Sequence, residues 1–160
     1  MNENPTDAHE QCELGFCYLD GDGIPQDLGK AVYWFTKAAE QGDKSAQFQL
    51  GLCYSTGKGV PNDFEMAMHW YTKAAEQGHV TAMYNLSTIF WNEEGGVPRN
   101  VKKAKYWTKK AAKEGLEVAE SFLFKIQAYE SRNGSGVGKI LMWVGIGISI
   151  ITLVAMCSSC

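Results

Sequence analysis

The sequence predicts an all-α protein: an α-α solenoid of repeated helix pairs, followed by a C-terminal transmembrane helix. Two observations support this prediction. The phrase AVYWFTKAAEQGDKSA at 31–46 returns as AMHWYTKAAEQGHVTA at 67–82, which is 36 positions later. The stretch 140–156 contains no charged residue. A fixed period of this length is typical of arrays in which each unit buries its apolar face only against its neighbours.

The first helix of each unit is predicted from one apolar stripe. Ala46, Leu50 and Tyr54 lie four residues apart and therefore fall on the same face of a helix. A Gly-x-Gly loop follows in the first two units, because glycine readily adopts the positive φ that ends a helix. The third copy has a loop that is longer by one residue, NEEGGVP.

The second helix of each unit is expected to start after a residue that caps its free N–H groups: Asp27, Asp63 and Asn100. It is predicted to bury the tryptophan of its unit, Trp34 in the first, together with small alanines that allow close packing. Each second helix is expected to end at a glycine, and these are Gly42, Gly78 and Gly115.

Two glycines fall inside predicted first helices, Gly15 and Gly51. Each costs a helix about 1 kcal/mol relative to alanine. We therefore expect a tight crossing at these points, where a Cβ would clash with the second helix. The third copy has Ser87 in this position.

The period divides the chain into consecutive segments. The predicted boundaries are an N-terminal tail at 1–7, repeats at 8–44, 45–80 and 81–117, a capping helix at 118–131, a flexible linker at 132–139, a transmembrane helix at 140–157 and a tip at 158–160.

This pattern resembles the Sel-one-like repeat family, whose members are relatives of the tetratricopeptide repeats. The residues that carry the resemblance are LGFCYLDGDGIPQDLGKAVYWFTKAAEQG and LGLCYSTGKGVPNDFEMAMHWYTKAAEQG, and it extends over about Ala8 to Glu130. It implies a right-handed superhelix that serves as a scaffold or adaptor, often in membrane-associated assemblies. A peptide or helix of a protein partner is then expected in the concave groove.

By analogy with tetratricopeptide stacks, the first helices line that groove. The residues predicted to contact a partner are Phe16, Leu19, Phe48, Leu52, Tyr84, Thr88, Trp91 and Asn92, with Asp20 and Ser55 beside them. Phe48 and Tyr84 have an alternative role, which is to pack only between units. Phe16, Leu52 and Trp91 are favoured as anchors, because they lie off the apolar stripe and aromatic anchors with a polar rim suit a partner peptide.

The stretch 140–156 rises about 26 Å as a helix, close to the ~30 Å of a bilayer core. A buried core helix or an apolar tail lying in a groove is the alternative.

The flanks of the stretch predict its orientation. Arg132 and Lys139 precede the stretch, and positive residues favour the cytoplasmic side, so the repeats are expected there. The polar start of the chain does not resemble a secretory signal. Small residues on one face would permit weak homo-oligomers: Gly145, Ser149 and Thr152.

Charge is unevenly distributed along the chain. Acidic residues outnumber Lys and Arg by 12 to 5 up to His79, whereas bases lead by 10 to 6 from Val80 onward. The net charge of −3 gives no indication of nucleic acid as a partner. The second helix of the third repeat contains six lysines, which either form a solvated face or meet anionic lipid headgroups: Lys102, Lys103, Lys105, Lys109, Lys110 and Lys113.

Catalytic motifs are missing from the sequence. His9, His69 and His79 have no partner at metal-ligand spacing and are interpreted as surface residues. We find no nucleophile elbow, phosphate loop or carboxylate pair. The sequence therefore predicts no enzyme, no cofactor and no metal. The predicted function is a membrane-tethered, non-catalytic adaptor, with an inhibitor or immunity-type partner as one variant.

The cysteines bear on the alternative function. Some secreted members of the family staple each repeat with a cysteine pair and are described as binding or hydrolysing β-lactams, which would make this chain an enzyme. Cys17 and Cys53 occupy equivalent positions without a second cysteine at such a place, so we expect buried free thiols. Cys157 and Cys160 form a C-x-x-C at the tip, which is a disulfide, a lipid-modified site or an incidental tail.

Overall fold

The computed structural model describes residues 5–133, which contain seven α-helices and no strand. The helices are α1 (Ala8–Asp20), α2 (Leu28–Glu40), α3 (Lys44–Thr56), α4 (Phe64–Glu76), α5 (Val80–Asn92), α6 (Val101–Lys113) and α7 (Glu117–Asn133), with a short 3-10 turn at Glu94–Gly96. Each of the first six helices has 13 residues. Equal lengths allow successive pairs to stack in the same register.

The helices pack in the order that a solenoid requires. α1 packs on α2, α3 on α4 and α5 on α6, while α2 contacts α3 and α4 contacts α5 between successive pairs. These three pairs lie in a compact unit that ends at Glu120, and the described residues 121–133 belong to a second unit. The prediction of an all-α solenoid is confirmed, and its right-handed sense stays a prediction.

The segment predicted to cross a membrane, 140–157, lies outside the described residues, as do Cys157 and Cys160. Among the helices of residues 5–133, none combines the length and the apolar character that crossing a bilayer requires.

Local capping signals define where the helices begin. Asp27, Asp63 and Asn100 each accept a hydrogen bond from the backbone N–H three residues further on, at 3.0, 3.0 and 2.9 Å. These predicted caps are confirmed. Asp43 caps α3 and His79 caps α5 in the same way. Asp43 accepts a hydrogen bond from the Ala46 N–H at 2.7 Å, and His79 accepts one from the Ala82 N–H at 3.2 Å.

The first helices end in left-handed residues. Gly21 and Gly57 have φ values of 76° and 73°, as predicted for the Gly-x-Gly loops. The third loop places Glu93 in this conformation, with φ 61°. A left-handed conformation costs a residue with a Cβ about 1–2 kcal/mol. The Nε of Arg99 lies 3.2 Å from the Glu93 carboxylate, and the two side chains form an ion pair at the surface.

The second glycine of these loops serves the stacking of pairs. A Cβ on Gly59 would overlap the carbonyl oxygen of Leu28, and one on Gly95 would overlap the ring of Phe64. Leu28 and Phe64 are the first residues of the preceding second helices. A Cβ on Gly23, which has no preceding pair, would meet no atom within 4 Å.

The predicted tight crossings are confirmed. A Cβ on Gly15 would lie 2.7 Å from the ring of Phe35, and one on Gly51 would lie 2.7 Å from the ring of Tyr71. Both rings are almost completely buried, with 0% and 1% of their surface exposed. In the third pair, Ser87 and the fully buried Thr108 occupy the equivalent positions.

These rings correct one prediction about the second helices. Phe35, rather than Trp34, is the fully buried aromatic of α2, and Trp34 is only half-buried. Trp107 is half-buried as well, whereas Trp70 is only 7% exposed, so the predicted burial is confirmed for Trp70 alone. Each tryptophan lies edge-on to the ring of the preceding residue at 5.0–5.1 Å between centroids: Tyr33–Trp34, His69–Trp70 and Tyr106–Trp107.

A glutamine pair joins the two helices in the first two pairs. Gln41 Nε2 donates to Gln11 Oε1 at 2.8 Å, and Gln77 Nε2 donates to Gln47 Oε1 at 2.9 Å. Gln11 and Gln47 are buried, so these bonds satisfy polar groups that water cannot reach. The third pair has the apolar Met83 at this position and needs no such bond.

Replacing Gly51 by alanine tests the crossing. We expect Gly51→Ala to lower the free energy of unfolding by about 1–3 kcal/mol, because the new methyl group collides with the buried ring of Tyr71. Urea unfolding followed by far-UV circular dichroism measures the change. Gly29→Ala adds the same methyl in α2, where its nearest neighbour is 3.5 Å away, and should stabilise the chain by up to about 1 kcal/mol. Equal effects of the two substitutions would contradict the crossing.

Candidate functional site

The predicted contact residues of the first pair lie partly in the core. Phe16 and Leu19 are half-buried and pack against the apolar cluster of the first two pairs. The Phe16 ring meets the Phe35 ring edge-on, with 5.2 Å between centroids. Asp20, at the end of α1, is exposed. One side of each half-buried side chain is therefore available to a partner.

In the second and third pairs, the predicted contact residues have mixed environments. The Phe48 ring stacks on the imidazole of His79 at 4.2 Å, with an interplanar angle of 17°. Phe48 and Tyr84 both pack against the core of the second and third pairs, which agrees with their alternative role between units. Leu52 is half-buried and Asn92 is exposed. Whether these residues touch a partner stays a prediction.

Trp91 differs from its expected environment. It is only 7% exposed, so it presents much less surface than an anchor for a partner was expected to present. Arg99 explains the burial, because its guanidinium lies over the indole at 5.5 Å and its Nε donates to the Trp91 carbonyl oxygen at 2.9 Å. A partner can reach little of the ring while Arg99 holds this position.

A polar cavity of about 170 Å³ lies between the second and third pairs. We call it the junction cavity, and its lining residues are Ser55, Tyr71, Asn85, Thr88, Ile89 and Glu94. α3, α4 and α5 form its walls, and the 3-10 turn contributes Glu94. Ser55 and Thr88 were predicted on the first-helix face, whereas sequence reasoning missed Tyr71, Asn85 and Glu94 as parts of a site.

Hydrogen bonds fix the polarity of the junction cavity. Ser55 Oγ donates to the Leu52 carbonyl at 3.1 Å, and Thr88 Oγ1 donates to the Asn85 carbonyl at 2.9 Å. Each hydroxyl has one proton, so Thr88 Oγ1 remains as an acceptor, whereas Ser55 Oγ also hydrogen-bonds the Tyr71 hydroxyl. Tyr71 Oη lies 3.0 Å from Ser55 Oγ.

The charge of the junction cavity depends on the ionisation of Tyr71 and Glu94. Burial raises the pKa of the Tyr71 phenol, although its hydrogen bonds with Ser55 and Asn85 act in the opposite direction. The phenol is therefore neutral at pH 7. Glu94 supplies a carboxylate, which accepts a hydrogen bond from Asn92 Nδ2 at 2.9 Å.

The basic residues of α6 form a separate surface. Lys102, Lys103, Lys109 and Lys113 are exposed, and Lys105 and Lys110 are half-buried. Some of the ammonium groups lie against aromatic rings. Lys103 Nζ is 5.0 Å from the centre of the Phe90 ring, and Lys110 Nζ is 5.0 Å from that of Tyr106. Such contacts align the stems of these lysines along the helix.

The described cysteines are buried. Cys17 and Cys53 are 9% and 3% exposed, which confirms their predicted burial, and Cys12 is 2% exposed. Cys12 and Cys53 are free thiols. Burial, reinforced by the nearby Asp43 carboxylate, raises the pKa of the Cys12 thiol to about 12, and burial also raises the pKa of Cys53. Both remain protonated at neutral pH and are poor nucleophiles.

The histidines divide into two groups. His9 and His69 are exposed, as predicted. His79 lies in the turn between α4 and α5 and is half-buried, because its ring covers Phe48 and its Nδ1 accepts the Ala82 N–H. Among residues 5–133, no group of three or more His, Cys, Asp or Glu side chains is placed to hold a metal ion.

Stacked helix pairs with one repeated crossing define the chain as a helical-repeat protein of the solenoid class. The Sel1 repeat model matches residues 11–43, 44–79 and 80–116, and the chain therefore belongs to the Sel1 repeat family. Proteins of this family are generally protein-interaction scaffolds, and the fold is typically non-catalytic.

Solved structures share this fold. A Sel1 repeat protein from Oxalobacter formigenes is 34% identical, with a TM-score of 0.70 over 76% of this chain and 49% of that protein. A protective antigen of uropathogenic Escherichia coli that displays an SLR fold is 32% identical, with a TM-score of 0.71 over 84% of this chain and 28% of the antigen. Cysteine rich protein B of Helicobacter pylori is 28% identical, with a TM-score of 0.60 over 72% of this chain and 89% of that protein.

The chain thus spans about half the length of the Oxalobacter protein and less of the antigen. No curated protein matches the sequence significantly.

The cap formed by His79 predicts a pH dependence. Burial, with the nearby Lys44, lowers the pKa of His79 below its ordinary 6.5. The unfolded chain therefore binds the proton more readily, and stability should fall as the pH drops through about 6.5. Urea unfolding between pH 8 and pH 5 should show a weaker pH dependence for His79→Asn, since asparagine caps a helix without titrating. His69→Asn, at an exposed site, should match the unsubstituted chain. An unchanged dependence in His79→Asn would refute this role.

Proposed function

We propose that this chain is a membrane-tethered, non-catalytic adaptor that holds a protein partner against the face formed by α1, α3 and α5. The partner would contribute an extended peptide or an amphipathic helix. One variant is an inhibitor or immunity-type protein that neutralises its partner at the cytoplasmic side of a membrane.

The observation that carries the proposal is a row of half-buried side chains along the first helices. Phe16, Leu52 and Thr88 occupy equivalent positions in successive pairs, and each keeps part of its surface accessible. A row of half-buried side chains is suited to a peptide, because it provides contact area without further ordering of long side chains. The membership of the Sel1 repeat family supports the same role.

The membrane part of the proposal rests on the sequence after the described residues. The stretch 140–156 has no charge, and Lys139 immediately before it favours a cytoplasmic repeat domain. The exposed lysines of α6 would then face anionic headgroups, where each contributes about 1 kcal/mol. Weak homo-oligomers through Gly145, Ser149 and Thr152 belong to the same proposal.

The β-lactam alternative receives no support from the described residues. A repeat stapled by disulfides needs paired cysteines, whereas Cys12 and Cys53 are free and buried. Their raised pKa values also make them unsuitable as nucleophiles.

Site-specific photo-cross-linking tests the adaptor role. A benzoylphenylalanine replacing Phe16 or Leu52 in the full-length chain should form a discrete covalent adduct with one partner in native membranes. The same residue at Tyr33, which is 54% exposed on α2, is the matched control and should form none. Equal adducts at all three positions, or adducts at Tyr33 alone, would remove the first-helix face as the binding surface.

Membrane fractionation tests the tether. The full-length chain should remain in the membrane pellet after alkaline carbonate extraction. Replacing Gly145 and Ile148 by arginine should release it, because each central arginine costs insertion about 2.5–3.5 kcal/mol. Arginine at Asn133 and Ser135, outside the stretch, serves as the control and should leave the chain in the pellet. Recovery of the unsubstituted chain in the soluble fraction would contradict the tether.

A further inference from the structure

The junction cavity departs from the repeat at most of its lining positions. The preceding junction, between the first and second pairs, has equivalent residues that are mainly apolar. The equivalent residues of the preceding junction and the junction cavity are Leu19 and Ser55, Phe35 and Tyr71, Gln49 and Asn85, Leu52 and Thr88, and Lys58 and Glu94. Two leucines and a phenylalanine are exchanged for hydroxyl-bearing residues, and a lysine is exchanged for a glutamate. Stacking alone does not require these exchanges, because the preceding junction stacks with apolar residues.

The exchanged groups form an acceptor-rich site. Thr88 donates its hydroxyl proton to a backbone carbonyl of its own helix, which leaves its Oγ1 as an acceptor. Ser55 Oγ hydrogen-bonds both the Leu52 carbonyl and the Tyr71 hydroxyl, and its remaining lone pair is the second hydroxyl acceptor. Asn85 hydrogen-bonds the Tyr71 phenol through its side chain. The carboxylate of Glu94 adds the negative charge. Such a set of neutral oxygens and one carboxylate complements a cation that carries several N–H donors.

We propose that the junction cavity binds the guanidinium or ammonium group of an arginine or lysine side chain of the partner polypeptide. This proposal rests on the adaptor function and names the chemistry of the partner. About 170 Å³ of space is sufficient for a guanidinium with part of its stem. One carboxylate neutralises one such group, while the hydroxyl and amide oxygens accept its remaining protons.

The preceding junction would reject the same side chain. Lys58 replaces the carboxylate of Glu94 there, and Leu19 and Leu52 provide no acceptor. A groove made of similar units allows a bound peptide to shift by one repeat. One cation-binding site next to one cation-repelling site removes that ambiguity, because the shifted register places the charge against a lysine. The junction cavity therefore sets the register of the partner.

The test uses a small probe and does not require the natural partner. N-acetyl-arginine N-methylamide is titrated into the ¹⁵N-labelled full-length chain in detergent micelles, and chemical shifts are followed. The side-chain amide of Asn85 and the backbone amides of Thr88 and Glu94 should shift saturably. The neutral citrulline analogue, which has nearly the same shape, should bind about fivefold or more weakly, since it lacks the charge.

Three variants make the test specific to the site. Glu94→Gln should weaken binding of the arginine probe by about five- to tenfold, and Thr88→Val should weaken it by about threefold, because each removes one acceptor. Glu93→Gln removes the neighbouring carboxylate, which pairs with Arg99 outside the cavity lining, and should leave binding unchanged. The amide spectrum of each variant reports that it is folded.

Several results would overturn the proposal. Equal binding of the arginine and citrulline probes would do so, as would shifts at other residues, full binding by Glu94→Gln or no saturable shift. The adaptor function does not depend on these results. If cross-linking from Leu52 persists while the arginine probe fails, the partner binds the first-helix face by contacts other than a cation in the junction cavity.

Discussion

The close crossing of two helices within each pair is the constraint on which the stack depends. Gly15 and Gly51 bring the backbone of the first helix against the rings of Phe35 and Tyr71, which fill the space between the helices. Because a packed interior yields little in volume, this contact fixes the separation of the helices, and pairs of equal separation can stack repeatedly. In the third pair a larger residue replaces glycine and the small Thr108 replaces the ring. What the three pairs share is therefore the combined volume of the two side chains that meet at the crossing, and neither residue by itself.

Much of the fold could be predicted because its signals are local. The period, the caps at Asp27 and Asp63 and the left-handed glycines each depend on residues a few positions apart. The identity of the buried ring was not predictable in the same way. Trp34 and Phe35 are neighbours in sequence, and an apolar period of 3.6 fits either of them. Only the position of the crossing glycine selects Phe35, and that requires knowledge of how the two helices cross.

The candidate site was predictable only in part. Thr88 and Ser55 could be placed on the first-helix face, but Tyr71 and Glu94 come from a second helix and a loop whose approach depends on stacking. Trp91 was misjudged for a related reason, since the residue that covers it, Arg99, lies in the longer third loop. A comparison of equivalent positions contains one usable signal, because the exchanges from apolar to polar residues cluster at a single junction.

Stacking and recognition place opposite demands on a repeat protein. Stacking favours identical units, because every interface then has the same geometry, whereas recognition of one partner in one register requires units that differ. In this chain the differences accumulate in the third pair. Glu93 adopts a left-handed conformation that glycine holds elsewhere, and Met83 replaces a buried glutamine. On the adaptor function proposed above, the specificity of the groove would reside where the third pair meets the second, because that junction carries the exchanges from apolar to polar residues.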